Sequence, residues 1–127
     1  MQFGSFQRFV SSSALFALAV ATSTIHGNPT AAIDFARDIQ PILSKNCFVC
    51  HGPDDGARKA DLRLDRREVA TKLHDSGDTA IVPGHPERST LIARVTSEDP
   101  DLRMPPASSG HTLSDVQIDT LRRWVAA

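Results

Sequence analysis

The chain contains no tyrosine and a single tryptophan, so six phenylalanines carry almost all of its aromatic bulk. At 127 residues it has the length of one domain. A chain this short buries a limited share of its surface. With aromatic anchors so scarce, a large apolar cofactor would supply much of what the core lacks. An excess of either charge is also missing: the formal net charge is −1, which excludes a strong pull toward nucleic acid or an anionic membrane. There is no glycine-rich phosphate loop, no internal repeat and no clear strand alternation, which argues against nucleotide-binding α/β units and repeat arrays. Cysteine occurs only twice, as Cys47 and Cys50. A bridge between them would close a tiny loop and stabilise little, so the pair asks for a chemical explanation.

One apolar run is present near the start. Arg8 precedes Phe9 to Ala21, a stretch of small and apolar residues interrupted by Ser11, Ser12 and Ser13. This reads as an export signal of residues 1–21, cut after the small-x-small tripeptide Ala19-Val20-Ala21. The run is too short and too serine-rich for a membrane span, although retention as an uncleaved anchor is the alternative. Residues 22–33 read as a linker and 34–127 as the folded domain. No membrane span is expected after cleavage, and the expected location is the periplasm or another exported site.

Within the domain, the pattern is helical. Phe35, Ile39, Ile42 and Leu43 fall at helical spacing over 34–46, with Asp38 or Gln40 as the expected cap because Pro41 is awkward inside a helix. Leu62 and Leu64 alternate, as in a short extended piece. Asp65 with Glu68 matches a capping box for a helix near 66–73. Pro86 suits the first turn of a helix over 86–96 that has Leu91, Ile92 and Val95 on one face. Ser114 and Gln117 form a second capping box, with Leu113 and Ile118 as its hydrophobic staple. Val116, Ile118, Leu121, Trp124 and Val125 then make the apolar face of the last helix. The expected fold is all-α: three to five short helices joined by long loops. Such loops rarely cohere in so small a domain unless something central organises them.

The chemistry concentrates in Cys47-Phe48-Val49-Cys50-His51. C-x-x-C-H is the attachment signature of c-type haem. Two thiols at this spacing can form thioethers to the two vinyl groups on one porphyrin edge, and the adjacent His51 is held beneath the iron. A thioredoxin-like site would want a preceding strand and a βαβ pattern, and zinc would want a second ligand pair at metal-like spacing; neither is evident. Apart from the initiator, the only methionine is Met104, in the irregular DLRMPPASSG segment. A thioether opposite histidine is a common sixth ligand that raises the potential, and Pro105 and Pro106 stiffen the chain just after it. His85 and His111 are rival distal ligands, His74 is expected to be solvated, and His26 lies in the linker.

Taken together, DFARDIQPILSKNCFVCHGPD, ADLRLDRRE, IVPGHPERSTLIARV, LRMPP and TLSDVQIDTLRRWV occur in order across nearly all of residues 33–126. This arrangement resembles the planctomycete-type cytochrome c domain, a branch of the class I cytochrome c superfamily. The resemblance implies an all-α fold whose first and last helices pack together beside one covalently bound haem c. It implies attachment through Cys47 and Cys50, proximal ligation by His51 and distal ligation by Met104. It also implies packing roles for Trp124, Leu62 and Leu64. Domains of this kind commonly stand at the front of longer exported proteins. Here the sequence stops at Ala127, and either a free-standing carrier or the front of a larger protein fits.

The expected function is one-electron transfer by a haem with both axial positions filled. The alternatives are a haem relay module of a larger exported oxidoreductase, or a haem-based sensor with a labile distal ligand. No second substrate site is apparent, so any catalysis would come from a partner. That redox partner is unidentified. Between Ala57 and Lys72, Arg58, Lys59, Arg63, Arg66, Arg67 and Lys72 outnumber the acids, and such a face could steer an acidic partner.

Overall fold

A computed structural model describes residues 32–127. The export signal over 1–21, His26 and nearly all of the 22–33 linker lie outside the described residues.

The chain enters through a wide helical turn. Residues Phe35–Ile39 form a π-type turn in which the Gln40 amide reaches back to the Phe35 carbonyl, and it runs directly into α1, Gln40–Asn46. Pro41 has no amide hydrogen and its ring crowds the carbonyl four residues earlier. The widened turn lets the helix pass through it. Helix entry therefore begins at Asp34, not at Asp38 or Gln40 as the sequence alone led us to expect. The Asp34 carboxylate accepts from the Arg37 amide at 2.8 Å, while Asp38 accepts from the Asp34 amide at 2.9 Å and pairs with Arg37 at 2.7 Å. Those two bonds, Arg37 first, hold the Asp38 carboxyl down at about 2.

Four further helices follow: α2 (Phe48–His51), α3 (Arg67–Ala70), α4 (Thr90–Val95) and α5 (Asp115–Ala126). Short 3-10 turns occupy Pro86–Arg88 and Ala107–Ser109. Among the described residues there is no strand, only one isolated bridge between Leu73 and Thr79. Helices this short are marginal in isolation, so their shared apolar faces hold them. Ile39, Ile42 and Leu43 meet Leu91, Ile92 and Val95 of α4 and Leu121 and Val125 of α5 in one buried cluster. The first turn and the last helix also touch through their rings, with Phe35 and Trp124 centroids 5.6 Å apart. Trp124 is half-buried against the cluster, a packing position.

Several local expectations hold and others do not. The Ser114–Gln117 capping box is present with both of its bonds, and Leu113 and Ile118 both join the core. Val116, however, is 75% exposed: it lies five residues before Leu121, off the stripe that Ile118, Leu121 and Val125 define. The Asp65–Glu68 capping box does not form. Asp65 is engaged by Arg63 through both guanidinium nitrogens, and α3 starts after Arg66 with no side-chain cap. It ends at Ala70, whose carbonyl accepts from the Ile81 amide and draws the next segment alongside. The 86–96 helix is broken at Ser89, which is extended and buried. Its hydroxyl donates to the His85 carbonyl and accepts from the Val82 amide, both at 2.9 Å, and so pins the loop to the helix start.

Candidate haem site

The cysteine motif sits on one tight turn. The Cys47 amide closes α1 by donating to the Leu43 carbonyl at 2.8 Å, and the Cys47 carbonyl accepts from both Cys50 and His51, at 3.1 and 2.8 Å. Residues three and four apart share a helix face, so Cys47, Cys50 and His51 point the same way. Phe48 turns inward to the core, while Val49 is 66% exposed. The two thiols are free and not joined to each other. Burial pushes the Cys47 thiol up to about 11.

The turn ends abruptly at Gly52, which is buried and lies against the backbone of Phe48. A helix end leaves carbonyls without intrahelical partners. Here the following loop supplies partners for the last two. The Lys59 amide donates to the Cys50 carbonyl at 2.8 Å and the Leu64 amide to the His51 carbonyl at 2.9 Å. The Arg58 guanidinium donates to the Gly52 and Pro53 carbonyls and is also paired with Asp55. The loop turns back through Ala60 and Asp61, both at positive φ, and Leu62 and Leu64 follow it without joining a strand. Arg58 is thus occupied with the loop and is not a free member of a docking face.

His51 Nδ1 lies 3.2 Å from the Lys59 carbonyl. A carbonyl can only accept, so Nδ1 carries the hydrogen and the lone pair of the neutral ring is on Nε2. Burial lowers the His51 pKa, partly offset by that same Lys59 bond. Burial favours the neutral ring, and the Lys59 bond fixes Nδ1 as its donor, so the Nε2 lone pair is the one available to a metal.

Cys47, Cys50 and His51 line one wall of a cavity of about 650 Å³, and Met104 lines the same cavity from a segment far along the chain. This volume is within the roughly 300–1,000 Å³ of pockets that enclose a cofactor-sized molecule. Its lining is mainly apolar, with Leu62, Leu64, Leu91 and Val95 among the walls. Two thiols, an imidazole with a free Nε2 and a thioether, set in apolar walls, are a donor set that fits haem c. Among the described residues, no group of three His, Cys, Asp or Glu side chains is placed to hold a metal ion.

Residues 47–108 match the family described as Planctomycete cytochrome C. The matched segment is just under half of the 127-residue chain. Haem binding and electron transfer are general properties of that family, whose domains are typically exported. The planctomycete cytochrome match opens on Cys47 and closes before α5. No curated protein and no solved structure matches the chain. Among the described residues, no helix is long and apolar enough to cross a membrane.

Of the histidines weighed as rivals, His85 is exposed, pairs with Glu87 at 3.0 Å and is not part of the cavity wall. His111 does line the cavity. His74 is not solvated as expected: it also lines the cavity, and its Nε2 is buried without a hydrogen-bond partner. The bond of its amide to the Asp78 carbonyl at 2.9 Å, closing a turn over the cavity edge, places it there. No local signal in the sequence marks this, because the turn is closed by backbone groups alone.

Proposed function

We propose that this chain is an exported one-electron carrier holding a single haem c, attached through Cys47 and Cys50 and ligated by His51 and Met104. One observation carries the reading: the four side chains of the donor set line one apolar cavity, and His51 Nδ1 is already committed to the Lys59 carbonyl. A bound haem supplies a one-electron Fe(III)/Fe(II) couple. The residues do the rest. Cys47 and Cys50 anchor one edge, so the group cannot be lost outside the cell. His51 offers Nε2 from below. Met104 offers a soft sulfur, which favours the reduced state. Leu62, Leu64, Leu91 and Val95 keep water from the cavity walls. With His51 and Met104 both holding the group, no site for a substrate at the metal would remain, and the partner would be another redox protein. The leader over 1–21 supports delivery to the periplasm, the compartment in which such a cofactor is attached.

The test is haem retention in denaturant, using full-length protein produced in a host with periplasmic cytochrome maturation. Wild type should keep its haem, and Cys47→Ala with Cys50→Ala should lose it. Oxidised wild type should show the weak red band of histidine–methionine ligation, and Met104→Ala should abolish it. Loss of haem from wild type in denaturant would refute the attachment. Tight carbon monoxide binding by reduced wild type would refute the filled sixth position.

A further inference from the structure

Met104 sits at the end of a segment with no apolar anchor. No residue from Thr96 to Arg103 is buried, and Leu102 is 47% exposed. What fixes this segment is polar. The amides of Leu102 and Arg103 both donate to the Asp99 carbonyl, at 3.1 and 2.9 Å, closing a turn. That turn is tied to α4 at two points, and both belong to one residue. The Arg94 carbonyl accepts from the Met104 amide at 3.0 Å, and the Arg94 guanidinium donates from Nη1 to the Leu102 carbonyl at 3.3 Å. Arg94 also lines the cavity beside Met104. Ile92 and Val95, on either side of it in α4, are buried in the core, so its backbone is fixed.

We infer that Arg94 is a positioning residue for Met104: its side chain holds the Leu102–Met104 segment against α4 and so keeps the thioether over the cavity. The inference rests on the proposed ligation by Met104. The backbone bond is indifferent to the residue at 94, but the guanidinium bond is not. A segment without buried side chains has little else to restrain it. Loss of the guanidinium therefore lets the Met104 loop open more often, and an external ligand then competes more easily for the sixth position. The expected gain in competitor affinity is roughly twofold to tenfold, the net worth of one hydrogen bond.

The experiment titrates oxidised holoprotein with imidazole and follows loss of the red band in wild type, Arg94→Leu, Arg94→Lys and, as a control on an exposed arginine elsewhere, Arg88→Leu. Arg94→Leu should bind imidazole at least twofold more tightly with its thermal midpoint near that of wild type. Arg94→Lys should fall between, and Arg88→Leu should match wild type. If Arg94→Leu fails to mature, Arg94→Gln carries the same expectation. Equal imidazole affinity in wild type and the Arg94 variants, with the red band present, overturns the inference alone. A wild type without the red band overturns Met104 ligation and this inference with it.

Discussion

Substituting Gly52 with alanine tests how tightly the cysteine turn is closed. A β-carbon built on Gly52 would stand 2.2 Å from the Phe48 carbonyl oxygen and 2.9 Å from the Phe48 carbonyl carbon and Cα, whereas real β-carbons essentially never come within 3.0 Å. All three contacts are backbone atoms, so no side chain can swing away. The Gly52 φ of −131° is open to any residue, which makes this a question of space and not of conformational freedom. Relief requires α2 to open at its last turn, next to His51. Overpacking of this kind costs about 1–3 kcal/mol. For a domain of about 100 residues each kcal/mol lowers Tm by roughly 4–8 °C. Thermal unfolding of Gly52→Ala should show that loss, with a disturbed haem spectrum. Gly56→Ala is the control: its β-carbon would meet only Asp54 Oδ1 at 3.4 Å, and it should stay within about 0.5 kcal/mol of wild type. A Gly52→Ala protein with the melting curve and spectrum of wild type would refute the account of the turn.

Ser89→Ala removes the hydroxyl that holds the Val82 amide, leaving a part-buried donor unsatisfied; a loss of about 1–3 kcal/mol should appear as a lower midpoint in urea with an unchanged slope. The Asp38 carboxyl is held at about 2, below the usual aspartate value, so the stability it adds is present above about pH 4 and is lost as pH falls toward 2. The pair with Arg37 is at the surface, so the effect should shrink with salt. Asp38→Asn should flatten that part of the acid-unfolding curve, and an unaltered curve would remove Asp38 from the account.

What could be read from the sequence was what is decided within a few residues. The Ser114–Gln117 box, the Leu91, Ile92 and Val95 face, and the shared side of Cys47, Cys50 and His51 all follow from spacing along one helix. Met104 stood out by being alone in a stiff polar segment, and the fold brings it to the cavity wall. Features decided by competition between partners, near or distant, or by the exact register of a helix were misread. Asp65 matched a capping box but is held by Arg63. Val116 counted as apolar by type but lies off the buried stripe. Pro86 suited a helix start, yet the bonds of Ser89 to residues of the preceding loop break that helix. His74 gave no local sign of reaching the cavity. The Lys59 carbonyl, which sets the tautomer of His51, has no side-chain signature at all.

The loop after Gly52 has a mechanical consequence. Its amides at Lys59 and Leu64 are the caps of the cysteine turn, so neither end of the loop can lift without uncapping the turn, and the turn cannot fray without releasing the loop. Local opening of the two is one event with one free energy. A surface segment that looks expendable by its exposure is therefore as stable as the cysteine turn, and a protease that nicks it also loosens Cys47, Cys50 and His51.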